Sequence, residues 1–401
     1  MESCDLLLSG RKAPVWGLWV ALWLMHAAGA VEARTWRVER DGSGDYGVIQ
    51  DAVDVAASGD TIRIGPGRFT EYRTYVYSGN DWNVYANVRM GSLTVIGAGE
   101  GVTLIGPGAP GTWGLGANAV GLLYWPSGTG ASLSVSALTF LDTNYGAYVQ
   151  NGVFQFEQCA FLRVFRGVRP LASGVVRSCR FEGVTDFGVA GVSPATSLTI
   201  DACSFLNCGA TFSVQLIAAV AVNNCDIRGC YSAGIFDRSA GTMRNCSVKD
   251  VPSGGYGLEV YGPGSYTIAD NSFDGGGINI AFGLGADNVV CERNLFSGSR
   301  ERAISITSCT PRLRDNHILK GEGAAVLVRG FPQPPDLTID LTGNYWGTAI
   351  ADSISAWIID GNDPVVPPSL PIHGFVDFEP FSSVPVEAEK TSLGGVKALF
   401  R

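Results

Sequence analysis

Gln215, Asp237, Arg238, Glu259 and Tyr261 are the residues of this chain whose types and spacing point to chemistry. The two carboxylates lie 22 residues apart, and Gln215 precedes Asp237 by another 22. An acid pair of this kind is the equipment of glycoside hydrolysis, in which one carboxyl protonates the leaving oxygen and the other attacks or activates water. Arg238 between them is a candidate base for an eliminative cleavage instead. Gln215 and the ring of Tyr261 offer a hydrogen-bonding group and a stacking surface for a sugar. Trp82 and Trp125, in two aromatic-rich segments, would add stacking platforms, or would pack over the flank of the molecule. The same five residues would also serve as plain solvated strand positions.

These groups meet only if residues about one repeat apart ride on one another, and the chain carries that repeat. Nine segments pair a turn-compatible residue with a large apolar one two positions later: Leu138, Cys159, Cys179, Cys203, Cys225, Cys246, Asn271, Asn294 and Asn316 are the first members. Their intervals are 21, 20, 24, 22, 21, 25, 23 and 22 residues. A period in this range means one unit stacked on copies of itself. β-Branched and aromatic residues punctuated by Gly, Ser and Asn make that unit a coil of short strands and tight turns. The expected fold is all-β, a single-stranded parallel solenoid of about 22 residues per coil. Adjacent strands are about 4.8 Å apart, so three neighbouring coils bring the five groups within about 10 Å along the axis.

Side chains in a strand alternate, so each coil should contribute two inward and two outward positions. Aligned on the repeat, one inward column reads Ala147, Val168, Val189, Val214, Ile235, Leu258, Ile278, Ile304, Val326. The second reads Val149, Pro170, Gly191, Leu216, Asp237, Val260, Ile280, Ile306, Val328, with Asp237 its one carboxylate. A bulge that carries Asp237 to solvent is the favoured resolution, since an unpaired buried charge costs several kcal/mol. The ladder position changes from Cys to Asn at Asn271, which predicts an asparagine ladder through Asn344, built on side-chain bonds and on the left-handed turns Asn tolerates. Five of the ten cysteines share the ladder position, and Cys208 and Cys230 form a second stacked pair, close enough for a disulfide to be geometrically possible. Stacked thiols also pack well without oxidation.

With 46% apolar and 16% charged residues, the 401-residue chain lies far from the composition of disorder. Its net charge of −9 argues against nucleic acid or an anionic membrane as partner. Arg11 and Lys12, the apolar run Val15–Met25 and Ala28-Gly29-Ala30 read as a signal peptide over 1–30, cleaved near Ala30. No segment predicts a membrane span. The remaining organisation is an N-terminal cap with aromatic-rich excursions (34–132), regular coils (133–347), a C-terminal wrap (348–386) and a polar tail (387–401). Val48, Ile49, Ala52, Val53 and Ala56 share one face of a capping helix, with Asp45 as its expected N-cap.

Asp41–Glu71, "DGSGDYGVIQDAVDVAASGDTIRIGPGRFTE", resembles the opening of right-handed parallel β-helix proteins of the pectin-lyase-like superfamily. The coils after it resemble that superfamily's β-helix repeat region. Gly343-Asn344-Tyr345-Trp346-Gly347 and Ser353–Phe381 resemble the end wrap of secreted bacterial β-helix proteins. The resemblance implies a right-handed helix whose outward sheet holds a sugar-binding groove, and says little about activity, because one fold hosts many sites. Pectinesterase signatures beyond the opening are missing, apart from a faint likeness at Gly183–Gly191 that makes Asp186 a minor candidate. No sequence pattern points to a metal or a cofactor. The expected function is a secreted protein that binds carbohydrate or a cell-envelope partner along its length. The alternatives are a polysaccharide lyase or glycoside hydrolase, and a structural surface or adhesion protein.

Overall fold

The computed structural model describes residues 32–107, 118–193, 196–330, 337–363 and 374–385. The expected signal peptide (1–30) and polar tail (387–401) lie outside the described residues. Successive coils feed one strand into a twelve-stranded parallel sheet and further strands into a second, 22-stranded sheet. The stacking is in register: Leu198 faces Val220, Val220 faces Gly241 and Gly241 faces Tyr266 along the first sheet. Coils already stack from Thr61, through Leu93–Ile96, Thr103–Ile105 and Asn118–Tyr124. The first aromatic-rich excursion is an antiparallel hairpin, Arg73–Tyr77 against Asn80–Val88.

The core is filled by columns of like residues. Phe140, Phe161, Phe181 and Phe205 stack with ring centroids 5.3, 4.7 and 4.7 Å apart, and all four are buried. Identical side chains at a fixed spacing pack face to face without voids, which is how one repeat builds a continuous core. The thiol ladder Cys159, Cys179, Cys203, Cys225 and Cys246 is buried beside it, and every described cysteine is free. Burial holds the Cys179, Cys203 and Cys246 thiols well above their usual pKa. Cys208 and Cys230 are stacked as expected, with the Cys208 amide donating to Cys230 Sγ at 3.4 Å, and remain thiols.

The asparagine ladder is continuous. The amides of Asn271, Asn294 and Asn316 donate to Oδ1 of the next member, Asn294, Asn316 and Asn344, at 3.0, 3.0 and 2.8 Å. The left-handed turn is one residue earlier than expected. Asp270, Arg293 and Asp315 carry φ of 60°, 53° and 58°, as do Gln158, Ser178 and Ala202 beside the cysteines at 50–52°. This leaves the ladder residue free to point inward and bond along the stack.

The helix Ile49–Val55 buries Ile49, Ala52 and Val53 on the first coils. Its N-cap is Val48 without a side-chain bond, and Asp45 instead accepts from the Arg37 amide at 2.8 Å. Asp45 is spent on closing the preceding turn. At the other end Trp346 is fully buried, with Phe378 at 6.3 Å, and Phe381 also packs on the core. Among the described residues no helix is long and apolar enough to cross a membrane.

Candidate functional site

The strands from Tyr145–Val149 to Ala324–Arg329 form the row of the long sheet on which the candidate residues lie. Register fixes their direction. Val214, Phe236 and Val260 pair in sequence and are buried, so this is the inward column. Gln215, Asp237 and Tyr261 pair beside it and face outward. Asp237 therefore needs no bulge to reach solvent, and Leu216 is no core residue but a 40%-exposed turn residue at φ 57°. The other inward column is also revised. Val189 pairs with Phe212, and Ile280 with Ile304. Gly234 follows Phe212 in that column, and a Cβ on it would stand 2.1 Å from Phe212 Cζ. The Phe212 ring fills the space of the missing side chain.

Gln215, Asp237 and Arg238 form one clamp. Gln215 Nε2 donates to Asp237 Oδ2 at 2.7 Å, and Arg238 reaches both Asp237 oxygens at 3.1 and 3.2 Å. The carboxylate keeps the Arg238 guanidinium above its usual pKa. Ions paired this well are held in place rather than poised to react.

Glu259 is different. It lies in the middle outward column, paired with Ile235 and Ala281. Tyr261, two residues on along the same face, donates to Oε1 at 2.8 Å, and Ser232 donates to Oε2 at 3.3 Å. No arginine is paired to it among the described residues. Burial raises its pKa despite these two bonds, and burial first, then the Glu259 charge, raises that of Tyr261. A protonatable carboxyl on an exposed face is the property wanted of a general acid. The Tyr261 ring lies across Gly283 of the next coil, where a Cβ would come within 2.3 Å of Cδ1.

Trp82 and Trp125 are at the N-terminal end of the same row. Trp82 stacks on Tyr145 with centroids 6.0 Å apart and planes 1° from parallel, and meets Tyr148 edge-on at 5.5 Å. Trp125 is 37% exposed, tilts against Tyr77 at 5.7 Å and lies under the Arg89 guanidinium. Between these rings and the carboxyl cluster come Arg166 and Arg169, over Tyr145 and Tyr148. Asp186 is bound by Arg166 Nε at 2.6 Å, an ion pair that occupies it. The sequence reading passed over Ser232, because its place in the row is an isolated bridge to Tyr256 rather than a strand with a pattern. No group of three or more metal-binding side chains occurs among the described residues.

Residues 214–338 match the family model described as the right-handed beta helix region. The chain has a right-handed parallel β-helix fold. The β-helix aligns with the Agl-KA catalytic domain at a TM-score of 0.51 and 12% identity, over 83% of this chain and 64% of that one. It thus spans under two thirds of that domain's length. It also aligns with the PL6 family polysaccharide lyase Pedsa3628 from Pseudopedobacter saltans at 0.38 and 10%, covering 88% and 99%. The mannuronan C-5 epimerase AlgE4 A-module from Azotobacter vinelandii gives 0.39 and 12%, covering 84% and 94%. At such identities the likeness concerns the fold. No curated protein sequence matches the β-helix.

Proposed function

We propose that this is an exported protein that binds a polysaccharide along the outward face running from Trp82 to Arg329. The observation that carries the reading is the continuity of that face. Half-exposed rings at Trp82, Tyr145 and Tyr148 lead through Arg166 and Arg169 to the Gln215–Asp237–Arg238 clamp and the Glu259–Tyr261 pair. Rings supply flat apolar area for sugar faces, and the polar groups supply bonds for hydroxyls. The signal-like segment over 1–30 and the sugar-directed chemistry of the solved proteins sharing the fold support export and a carbohydrate ligand.

A second reading, cleavage of the bound polymer, is favoured by one observation: Glu259 is half-buried, unpaired with arginine and raised in pKa. In that reading Glu259 gives up the proton and Asp237, with Arg238, is the other charged group at the reacting sugar. One experiment separates the two. Affinity electrophoresis through gels containing acidic and neutral polysaccharides measures binding, and assays for reducing and unsaturated ends measure cleavage. Retardation without new ends supports the binder. New ends that vanish in Glu259→Gln establish the enzyme. No retardation by any polymer overturns both.

A further inference from the structure

A parallel solenoid ends in unpaired strand edges, and such edges recruit other chains unless they are covered. Three stretches of edge at the N-terminal end are covered. On Thr35–Val38 the Arg37 amide donates to Asp45 Oδ2 at 2.8 Å, and the Arg37 carbonyl accepts from the Asp45 and Tyr46 amides. On Gly67–Phe69 the Arg68 carbonyl accepts from the Arg40 guanidinium. Near the end of Asn80–Val88 the Asn87 amide donates to Gln50 Oε1 at 2.7 Å, and Gln50 Nε2 donates to the Asn87 carbonyl at 3.4 Å.

Arg73–Tyr77 is the exception. It pairs with Asn80–Val88 on one side and, among the described residues, with no strand on the other. Ser78 and Gly79, at φ 49° and 78°, close the hairpin in two residues. A turn of that kind makes Tyr77–Asn80 a hydrogen-bonded pair. Bonding then alternates along the hairpin, through Tyr75–Trp82 and Arg73–Val84. The N–H and C=O groups of Thr74 and Val76 therefore point away from it. The usual edge protections are missing. The strand holds no Lys or Pro, and its one charge, Arg73, is held by Asp51 at 2.6 Å and by Asp54. Val76 is 68% exposed.

We propose that Arg73–Tyr77 is a dimer edge, which pairs antiparallel with the same strand of a second copy about a two-fold axis at Tyr75. Thr74 then faces Val76 of the second copy, and each amide finds the other's carbonyl. The two-fold axis repeats both bonds, so no open group of Thr74 or Val76 is left over. The strand complements itself in charge as well, which favours a second copy over an unrelated peptide. Its Arg73 end carries two carboxylates, Asp51 and Asp54, for one guanidinium. At its Tyr77 end Arg89 donates to the Tyr77 hydroxyl at 2.5 Å and has no ion pair among the described residues. Antiparallel pairing sets Arg73 opposite Tyr77 of the second copy, so each acidic end meets a basic one. One short strand is a small contact beside the roughly 1,600 Å² of a standard interface. The dimer is accordingly weak, with a Kd above about 1 μM. The polysaccharide reading is not needed for this inference.

Sedimentation equilibrium of the full chain, from about 1 μM to about 1 mM, should show monomer and dimer in exchange. Val76→Pro removes an N–H that the hairpin does not use, so the monomer should fold. Its dimer loses that bond on both sides of the axis and should weaken at least about tenfold. If Val76→Pro fails to fold by circular dichroism, Val76→Lys keeps the backbone, charges the edge and should weaken the dimer likewise. Leu284→Lys, at a 70%-exposed residue of a later coil, should leave the dimer unchanged. Tyr75→Cys tests the register. On the axis the two Cα atoms form a non-hydrogen-bonded pair about 4.5 Å apart, within reach of a disulfide. Every described native cysteine is buried, so oxidation by diamide should give a covalent dimer of Tyr75→Cys and none of wild type. A monomer at every concentration overturns the proposal. So does an undiminished dimer in folded Val76→Pro or Val76→Lys, a loss matched by Leu284→Lys, or the absence of a crosslink in folded Tyr75→Cys.

Discussion

The hydroxyl of Tyr261 donates to Oε1 of Glu259 at 2.8 Å, from two residues along the same strand face. That bond favours the ionised carboxylate, as does the bond from Ser232, yet burial outweighs both and the Glu259 pKa is raised. The consequence for stability has a definite sign. A carboxyl whose folded pKa exceeds its unfolded one stabilises fully below the unfolded value, and that contribution is lost as pH rises through the folded value. Glu259→Gln is neutral throughout. It should melt higher than wild type at pH 7 by on the order of 1 °C, with the difference closing toward about pH 4. Scanning fluorimetry across this range checks it; a wild type that is the more stable at pH 7 would refute the sign.

Gly283 tests the Tyr261 ring. A Cβ there would stand 2.3 Å from Cδ1 and 2.4 Å from Cε1 of Tyr261. Gly283→Ala should lift the ring off the next coil and break its contact with Glu259, costing about 1–3 kcal/mol as overpacking does. Chemical denaturation gives the cost. The carboxyl resonance of Glu259, followed by NMR, should report a pKa higher still, because a bond that lowers it is gone. An unmoved carboxyl pKa would mean that the ring finds the same contact by another route.

The asparagine ladder predicts a graded series at Asn294. Its Nδ2 donates to Ile268 O at 2.8 Å and to Glu292 O and Asn316 Oδ1 at 3.0 Å, while Oδ1 accepts from Asn271. Asn294→Ala strands these partners inside the stack and should cost about 2–4 kcal/mol. Asn294→Cys installs the group that earlier coils use, where the thiol of Cys246 contacts the carbonyls of Val222 and Arg244. Its cost should be about half as large. Equal losses in urea unfolding would show that the ladder bonds do not stabilise beyond their packing.

The limits of the sequence reading fall where a side chain is missing or borrowed. The repeat, the Phe stack and the Cys-to-Asn ladder were legible because identical residues recur at one spacing. The inward columns slipped at Phe212 and Gly234, where glycine leaves no mark in a hydrophobic pattern and a ring from the coil before takes its place. That slip put Asp237 in a core column. Glu259 and Tyr261 were legible as outward residues, but the buried state of Glu259 was not. It depends on Ser232 and on the Tyr261 ring lying over Gly283, contacts made across coils with no fixed spacing.

Trp82 and Trp125 divide the roles of packing and binding. Trp82 stacks on Tyr145 and touches Tyr148 and Tyr77, so Trp82→Ala removes several aromatic contacts at once. It should lower stability by about 2–3 kcal/mol, less than for a fully buried ring because Trp82 keeps some exposure. Trp125 is 37% exposed, with Tyr77 and the Arg89 guanidinium as neighbours. Trp125→Ala should cost under about 1 kcal/mol, as surface changes do. If its free face takes a sugar ring, polymer retention should nevertheless fall several-fold. Parallel unfolding and affinity-electrophoresis measurements on the two variants decide between these roles. A Trp125→Ala protein with unchanged retention would confine that ring to covering the flank and shift the sugar-binding length toward Tyr145 and the carboxyl cluster.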